Sequence, residues 1–464
     1  MPNLPLSHND TAKADDAFQQ EAFIKQVCEL IKNCQPPKGI GINGYWGTGK
    51  TSSLMQIHKT LTGAAPHDYK KFNDQNIVPI WFEAWRYQSE TVPIVALLQE
   101  IRAQIGMWQK LVNKGKKLTD ITTLGILGAF DATLKTASGG IISPNLSKIP
   151  ELGKQWETEY RETPLATQDL RRLLEQAVDQ ALNKNKGDAK RLVIFIDDLD
   201  RCLPKVALQL LEGIKVYLNL NNCVLVFGMD QRQIEEALKK ALETSDTHQS
   251  REYLEKICQD IHHLPIPNQK AKADYLLNLL TALDVDDRSQ TGLTDTQKAV
   301  LAENHRKAIE NVLYKYDCLP ANPRKIKALS NRLALQLRKG CIKNPNEPLT
   351  TPASSETPDR RYMLLVAMSN IYNFHRQLNE QLEKDPDYIN QVVIYADTPP
   401  AYPSNTPAPI YEPMRDIIPS YDNTGQQKLP TNPSDSNVFR LHELFKALGT
   451  VTVNDLKPFL DSHL

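Results

Sequence analysis

The chain has 464 residues, which at about 150 residues per domain leaves room for about three domains and excludes a small scaffold stapled by disulfides or metal. Lys plus Arg and Asp plus Glu are 55 each, so the whole chain is neither a polycation nor an acidic tail protein. With 41% hydrophobic and 24% charged residues, the composition is that of a folded globular protein.

The first third of the chain alternates between helical and strand patterns. Apolar residues recur at helical spacing over 15–33, and Gly39–Asn43 is a short apolar strand that enters a glycine-rich turn. Leu54, Ile57 and Leu61 then lie on one helical face. A strand is predicted over Ile77–Phe82 and a helix over Val92–Ile105. This alternation predicts an α/β protein with a parallel sheet.

The stretch Ile121–Ser143 contains only two charged residues, Asp131 and Lys135. It indicates either an insertion that touches a membrane or forms an oligomer, or a partly buried helix or loop. Two charges and the pair Gly139-Gly140 favour the second interpretation, so no membrane-spanning helix is predicted.

The α/β pattern resumes before a change of character near Pro265-Ile266-Pro267. Helices are predicted over 167–182 and 206–220, and buried strands over 191–196 and 223–229. Helical periodicity dominates from there to about residue 385, interrupted by a proline-rich segment at 344–358. The predicted organisation is an N-terminal helix (1–38), a core (39–265, with an insertion at 110–165), a helical lid domain (266–395), a proline-rich linker (396–437) and a helical tail (438–464).

Cysteine usage and the amino terminus bear on the compartment. The seven cysteines are scattered and form no CxxC pair, which predicts reduced and mostly buried thiols. The segment MPNLPLSHND has no basic patch followed by an apolar stretch, as a secretory signal would. A cytoplasmic location is therefore expected.

The segment Gly44–Thr51 fits the pattern GxxxxGK[ST] and stands between a predicted strand and a predicted helix. In that context the glycines allow backbone N–H groups to form a concave nest around a β-phosphate, behind which lies the positive end of the helix. Lys50 is expected to reach the β- and γ-phosphates, and the Thr51 hydroxyl to bind Mg²⁺. The residues predicted to contact ATP are Gly44, Trp46, Gly47, Thr48, Gly49, Lys50, Thr51 and Ser52. The alternative is a chance glycine turn before a helix.

Two carboxylates follow the apolar strand Leu192–Ile196 directly. Asp197 is predicted to bind Mg²⁺, and Asp198 to orient and deprotonate the attacking water. The alternative is a solvated acidic turn. Asp200 and Arg201 come next and are interpreted either as an ion pair that shapes the loop or, for Arg201, as an arginine finger facing the nucleotide of a neighbouring subunit.

The chain resembles the KAP family of P-loop NTPases over about residues 15–340. The family's patterns appear in order along this sequence as Trp46–Thr51, Phe82–Tyr87, Asp197–Cys202, Tyr253–Ile257 with Leu264-Pro265, and Asn322–Lys327. Glu83 departs from the family, which often has Asn at that position. Family members also often carry transmembrane helices between the two phosphate motifs, whereas Ile121–Ser143 is too polar to span a membrane.

The resemblance implies a core of the additional-strand P-loop group followed by a helical lid. It further implies that Asp230 and Arg324 sense the γ-phosphate, that the chain self-associates, and that it takes part in phage exclusion or bacterial defence. A separate effector protein is expected, because the sequence contains no nuclease or hydrolase motif. For Asp230 the alternative role is that of a helix N-cap.

Arg324 lies in a basic segment, 319–346, which has seven Lys or Arg residues and no acid. The segment is interpreted either as a contact for nucleic-acid phosphates or, preferably, as a solvated face packed through Leu329, Leu333 and Leu337. Trp85 is interpreted as a core anchor rather than a base-stacking platform.

These observations predict a Mg²⁺-dependent ATPase that acts as a conformational switch or regulator. The alternatives are a kinase that transfers the γ-phosphate to a small molecule or nucleic acid, a nucleic-acid-dependent ATPase, and a module that holds nucleotide without hydrolysing it.

Overall fold

The computed structural model describes residues 4–11, 18, 20–66, 68, 76–90, 93–112, 191–217, 220, 222–243, 246–286, 294–342, 358–397 and 438–460. The stretch Ile121–Ser143, the helix predicted over 167–182 and most of both proline-rich segments lie outside these residues. The chain divides into two compact units, one made of residues 12–16 and 20–265, the other of residues 1–11, 17–19 and 266–464.

The first unit contains a five-stranded parallel sheet, as the alternating pattern predicted. The strands are β1 (Lys38–Asn43), β2 (Ile77–Glu83), β3 (Arg191–Asp197), β4 (Cys223–Met229) and β5 (Asp260–His263). Their order across the sheet is β2-β3-β4-β1-β5, so β4 lies between β1 and β3. The sequence did not predict β5, because this edge strand has only four residues and none of them is fully buried.

Helices cover both faces of this sheet. They are α1 (Glu21–Asn33), α2 (Lys50–Thr62), α3 (Pro93–Val112), α4 (Pro204–Tyr217), α5 (Gln231–Ala241) and α6 (Thr247–Glu255). In β3, Val193 and Phe195 belong to the apolar cluster that includes α1 and α2. Leu192, Ile194 and Ile196 belong to the cluster on the opposite face. Burial on both faces explains why the strands are apolar runs rather than alternating patterns.

The second unit is helical in the part of the chain described. Its helices are α7 (Gln269–Thr281), α8 (Asp295–Lys315), α9 (Pro323–Arg338), α10 (Arg360–Phe374), α11 (Arg376–Lys384), α12 (Tyr388–Asp397), α13 (Val438–Leu448) and α14 (Val453–Leu460). They share one apolar core, to which α10 contributes Leu365, Val366 and Ala367.

The first residues of the chain also belong to this helical unit, although the sequence grouped them with the helix that leads into the sheet. The His8 backbone N–H donates to Asn331 Oδ1 at 2.8 Å, and the Asn331 side-chain amide donates back to the His8 carbonyl at 3.2 Å. These bonds attach residues 4–11 to α9.

None of the helices in the described ranges has both the length and the apolar character needed to cross a bilayer. All seven cysteines are free thiols, and six of them are buried. Burial raises the pKa of Cys202 and of Cys223 to about 12, so these thiols stay protonated at neutral pH.

Candidate functional site

The loop between β1 and α2 has the backbone of an anion-binding turn. Gly47 and Gly49 have φ angles of 80° and 99°, a left-handed conformation that side chains with a Cβ disfavour. The Thr48 N–H and hydroxyl both donate to the Tyr45 carbonyl, at 3.2 and 2.7 Å. These hydrogen bonds close the turn, and α2 begins directly after it at Lys50.

The acidic end of β3 meets the start of α2. The Thr51 hydroxyl lies near the carboxylate of Asp197, whose side chain is almost completely buried, and it opposes the rise in the pKa of that carboxylate. Burial, with a smaller contribution from the neighbouring Asp198 carboxylate, raises the pKa of Asp197 to about 7. Asp197 Oδ1 has no hydrogen-bond partner among the described residues.

These oxygens fit a divalent cation. A carboxylate and a hydroxyl are hard oxygen ligands of the kind Mg²⁺ takes, together with water and substrate phosphates. A buried carboxylate with an unpartnered oxygen is costly without a cation, since burial disfavours its charged form. Thr51 and Asp197 would hold the ion.

Asp197 reaches this position because of a glycine in the strand between β3 and β1. A Cβ on Gly228 would lie 2.6 Å from Leu54 Cδ1 and 2.9 Å from Asp197 Oδ1, both too close for real atoms. Gly228 pairs in register with Ile42 of β1, just before the phosphate loop. Sequence reasoning assigned this residue no role, because its importance depends on which strand lies between β1 and β3.

Asp198 lies at the turn that follows β3. Its φ angle is 58°, a left-handed conformation unusual for a residue other than glycine and often found at functional sites. Burial is the main cause that raises its pKa, although the Arg201 guanidinium acts in the opposite direction. Arg201 Nε lies 2.9 Å from Asp198 Oδ1, and its guanidinium lies 4.5 Å from the centre of the exposed Trp46 ring.

The expected ion pair between Asp200 and Arg201 is wrong. Arg201 pairs with Asp198, and Asp200 Oδ2 instead lies 3.0 Å from Lys50 Nζ. The reason is the short 3-10 helix Leu199–Arg201, which places Asp198 and Arg201 three residues apart, within reach of each other. It leaves Asp200 to accept a hydrogen bond from the Asp230 N–H, at the end of β4.

Asp230 has the geometry of the helix N-cap that the sequence offered as an alternative. Its Oδ1 accepts from the Arg232 N–H at 3.2 Å, at the start of α5. Its side chain is nearly buried, and the Arg232 guanidinium lies 3.8 Å from the centre of the Tyr45 ring. Asp230 is thus tied to α5, while Arg232 reaches the phosphate loop.

Three further residues lie at this end of the sheet or on α2. Ser52 is half-buried in the first turn of α2. Glu83, at the end of β2, is paired in register with Asp197, accepts a hydrogen bond from Trp81 Nε1 at 3.3 Å and contacts Arg86.

The interpretation of Trp85 as a core anchor is wrong, because Trp85 is 46% exposed in the turn that follows β2.

The basic segment lies in the helical unit, where α9 packs through Leu329, Leu333 and Leu337. Several of its charges contact the chain itself. Arg324 Nε lies 2.7 Å from Asp10 Oδ2, and Lys327 Nζ donates to the Thr11 carbonyl at 3.0 Å. These contacts support the interpretation of a packed, partly solvated face.

The fold and the loop define the class of protein. The sheet is parallel, and one strand lies between the phosphate-loop strand and the acidic strand, which is the arrangement of a P-loop NTPase. The family model described as the KAP family P-loop domain matches residues 20–339, more than half of the chain. The chain therefore belongs to the KAP family of P-loop NTPases, as its motifs indicated, and is a nucleotide-binding protein.

The chain is also similar to individual proteins, including the following two. An uncharacterized protein of Methanocaldococcus jannaschii is 25% identical over 177 residues, which cover 32% of this chain and 89% of that protein. A chain in the structure of Drosophila ORC bound to DNA aligns over 95% of this chain and 84% of its own length, with 17% identity and a TM-score of 0.33. The second likeness is too weak to support any argument.

Proposed function

We propose that this chain is a Mg²⁺-dependent ATPase that uses nucleotide binding and hydrolysis as a conformational switch. The observation that carries the proposal is the buried Asp197 carboxylate, with an unpartnered oxygen, near the Thr51 hydroxyl at the start of α2 beside the phosphate loop. A hydroxyl at the start of a helix and a carboxylate at the end of a strand are the pair that holds Mg²⁺ in P-loop NTPases.

The phosphates would be held by the turn and by α2. Lys50 would contact the β- and γ-phosphates, and backbone N–H groups would surround them. The proposed nucleotide contacts are Gly44, Trp46, Gly47, Thr48, Gly49, Lys50, Thr51 and Ser52, with Asp230 nearby. Thr51 and Asp197 would hold Mg²⁺, which would supply positive charge that offsets the charge of the phosphates.

Hydrolysis needs a group that orients water and accepts its proton. Asp198 is the candidate, because its carboxylate is one residue beyond Asp197 and its pKa is raised above that of a free aspartate. Arg201 is proposed to offset negative charge that develops during the reaction, either in its own chain or on a neighbour's nucleotide.

The resemblance to the KAP family extends the proposal beyond this unit. We propose that Arg324 of the helical unit responds to the γ-phosphate, that the chain self-associates, and that it acts in the cytoplasm with a separate effector in bacterial anti-phage defence. Self-association and hydrolysis can be tested on the isolated chain.

The test is phosphate release from ATP and Mg²⁺ by the native chain, Lys50→Ala and Asp198→Ala. Light scattering after size exclusion, with and without nucleotide, measures self-association in parallel. Glu236→Ala is the matched control, because Glu236 is an exposed acid on α5 whose partner is Lys240.

We expect hydrolysis to be lost in Lys50→Ala and Asp198→Ala and unchanged in Glu236→Ala. Loss of one such group in a catalytic site costs about 100-fold or more. Phosphate release without an acceptor would exclude the kinase alternative. Tight ATP binding, with turnover near zero in the native chain and in Asp198→Ala alike, would contradict the ATPase and leave a module that only holds nucleotide.

A further inference from the structure

The phosphate-loop lysine already has an anionic partner inside the protein. Lys50 Nζ lies 3.0 Å from Asp200 Oδ2, and only 9% and 3% of the two side chains are exposed. Lys50 Nζ also donates to the Tyr45 carbonyl at 3.4 Å. The ammonium that a triphosphate would need is therefore engaged in a buried ion pair.

Asp200 is held in place independently of Lys50. The Asp230 backbone N–H donates to Asp200 Oδ2 at 3.0 Å, which ties the carboxylate to the end of β4. The other oxygen, Oδ1, is buried and has no hydrogen-bond partner in the part of the chain that the structure describes. The carboxylate cannot follow Lys50 toward a ligand without breaking its bond to the backbone.

An arriving triphosphate must therefore draw Lys50 away from Asp200 or share it. In either case less of the negative charge of the buried Asp200 carboxylate is neutralised, next to a strongly anionic ligand. Separating a buried ion pair is unfavourable, because water does not replace the lost partner. The same carboxylate holds Lys50 at the loop.

We propose that Asp200 is a positioning residue that acts as the internal counter-ion of Lys50 and lowers the affinity of the site for nucleotide. The inference rests on the proposed function, since it concerns nucleotide binding by the same loop. It assigns Asp200 a role that neither an ion pair with Arg201 nor water activation by Asp198 would give it.

The test is the dissociation constant of ATP in the presence of Mg²⁺, measured by titration calorimetry. Asp200→Asn keeps the shape of the side chain and an oxygen that can accept from the Asp230 N–H, but it removes the charge. We expect this variant to bind ATP about tenfold more tightly, the change expected when a charged competitor for a buried lysine is removed.

Two comparisons separate this effect from a general change of charge. Glu83→Gln removes one negative charge at the same end of the sheet, from a side chain whose partners are Arg86 and Trp81, and is expected to change the affinity less than about threefold. In a Lys50→Met background, Asp200→Asn should give no tightening, because the competition requires the lysine.

Weaker or unchanged ATP binding by Asp200→Asn would overturn the inference, as would equal tightening by Glu83→Gln or tightening retained without Lys50. If the native chain binds and hydrolyses ATP while Asp200→Asn leaves the affinity unchanged, only the inference fails. If neither chain binds ATP, the proposed function fails with it. Thermal unfolding checks each variant, and Asp200→Ser replaces Asp200→Asn if the latter does not fold.

Discussion

Gly228 permits the close approach of Asp197 to α2, so the substitution Gly228→Ala tests the geometry of the site directly. The added Cβ would lie 2.6 Å from Leu54 Cδ1 and 2.9 Å from Asp197 Oδ1. Leu54 is fully buried, and its side chain has little room to move. The overlap must therefore be relieved partly by a displacement of the carboxylate.

The cost can be worked out from these contacts. Overpacking a core by one methyl group destabilises by about 1–3 kcal/mol. Replacing a strand glycine returns about 0.5–1 kcal/mol, because alanine loses less backbone entropy on folding. We expect a net loss of about 1–2 kcal/mol in the free energy of unfolding. ATP hydrolysis should fall by about tenfold or more, because small displacements of catalytic groups are costly.

Gly213→Ala is the matched control. A Cβ on Gly213 would lie 2.6 Å from Ile94 Cβ, so the overlap is of the same size and lies in the same unit. It lies between α4 and α3 and touches no carboxylate of the site. The assays are denaturant unfolding and phosphate release with ATP and Mg²⁺, on both variants and the native chain.

We expect both variants to lose stability and only Gly228→Ala to lose hydrolysis beyond the loss of folded protein. Equal hydrolysis per folded molecule in the two variants would refute the reasoning. It would mean that the position of Asp197 does not depend on the absence of a side chain at Gly228.

Three further predictions concern single charged groups. Lys272→Met breaks the buried ion pair in which Lys272 Nζ lies 2.5 Å from Asp317 Oδ1, and it should lower the free energy of unfolding in urea by about 3–5 kcal/mol. A decrease below about 1 kcal/mol would contradict this expectation. The pKa of Asp197 is raised to about 7 in the folded chain, so its contribution to stability is greatest at acidic pH and is lost as pH rises through about 7. In EDTA, the urea midpoints of unfolding of the native chain and of Asp197→Asn should therefore depend differently on pH, and parallel profiles would argue against the raised pKa. Arg324→Ala should lower hydrolysis with little change in ATP affinity, whereas Asp10→Ala, which removes one partner of Arg324, should not lower it. Equal hydrolysis by Arg324→Ala and the native chain would remove Arg324 from the proposed site.

The sequence alone determined the features that depend on neighbours along the chain. The spacing of Gly44, Gly49, Lys50 and Thr51 requires a turn between strand and helix, and the apolar run before Asp197 requires a buried strand. These local patterns predicted the parallel sheet and the family, because loop geometry and burial restrict which residue types can occupy a position.

Only the tertiary structure decided which groups of the site meet. It pairs Asp200 with Lys50 and Arg201 with Asp198, makes Gly228 a spacer between α2 and the acidic strand, and exposes Trp85. The physical reason is that a carboxylate or glycine has the same local signature whatever lies opposite it. Strand order and burial select its partner, and these arise from contacts between segments far apart in the chain.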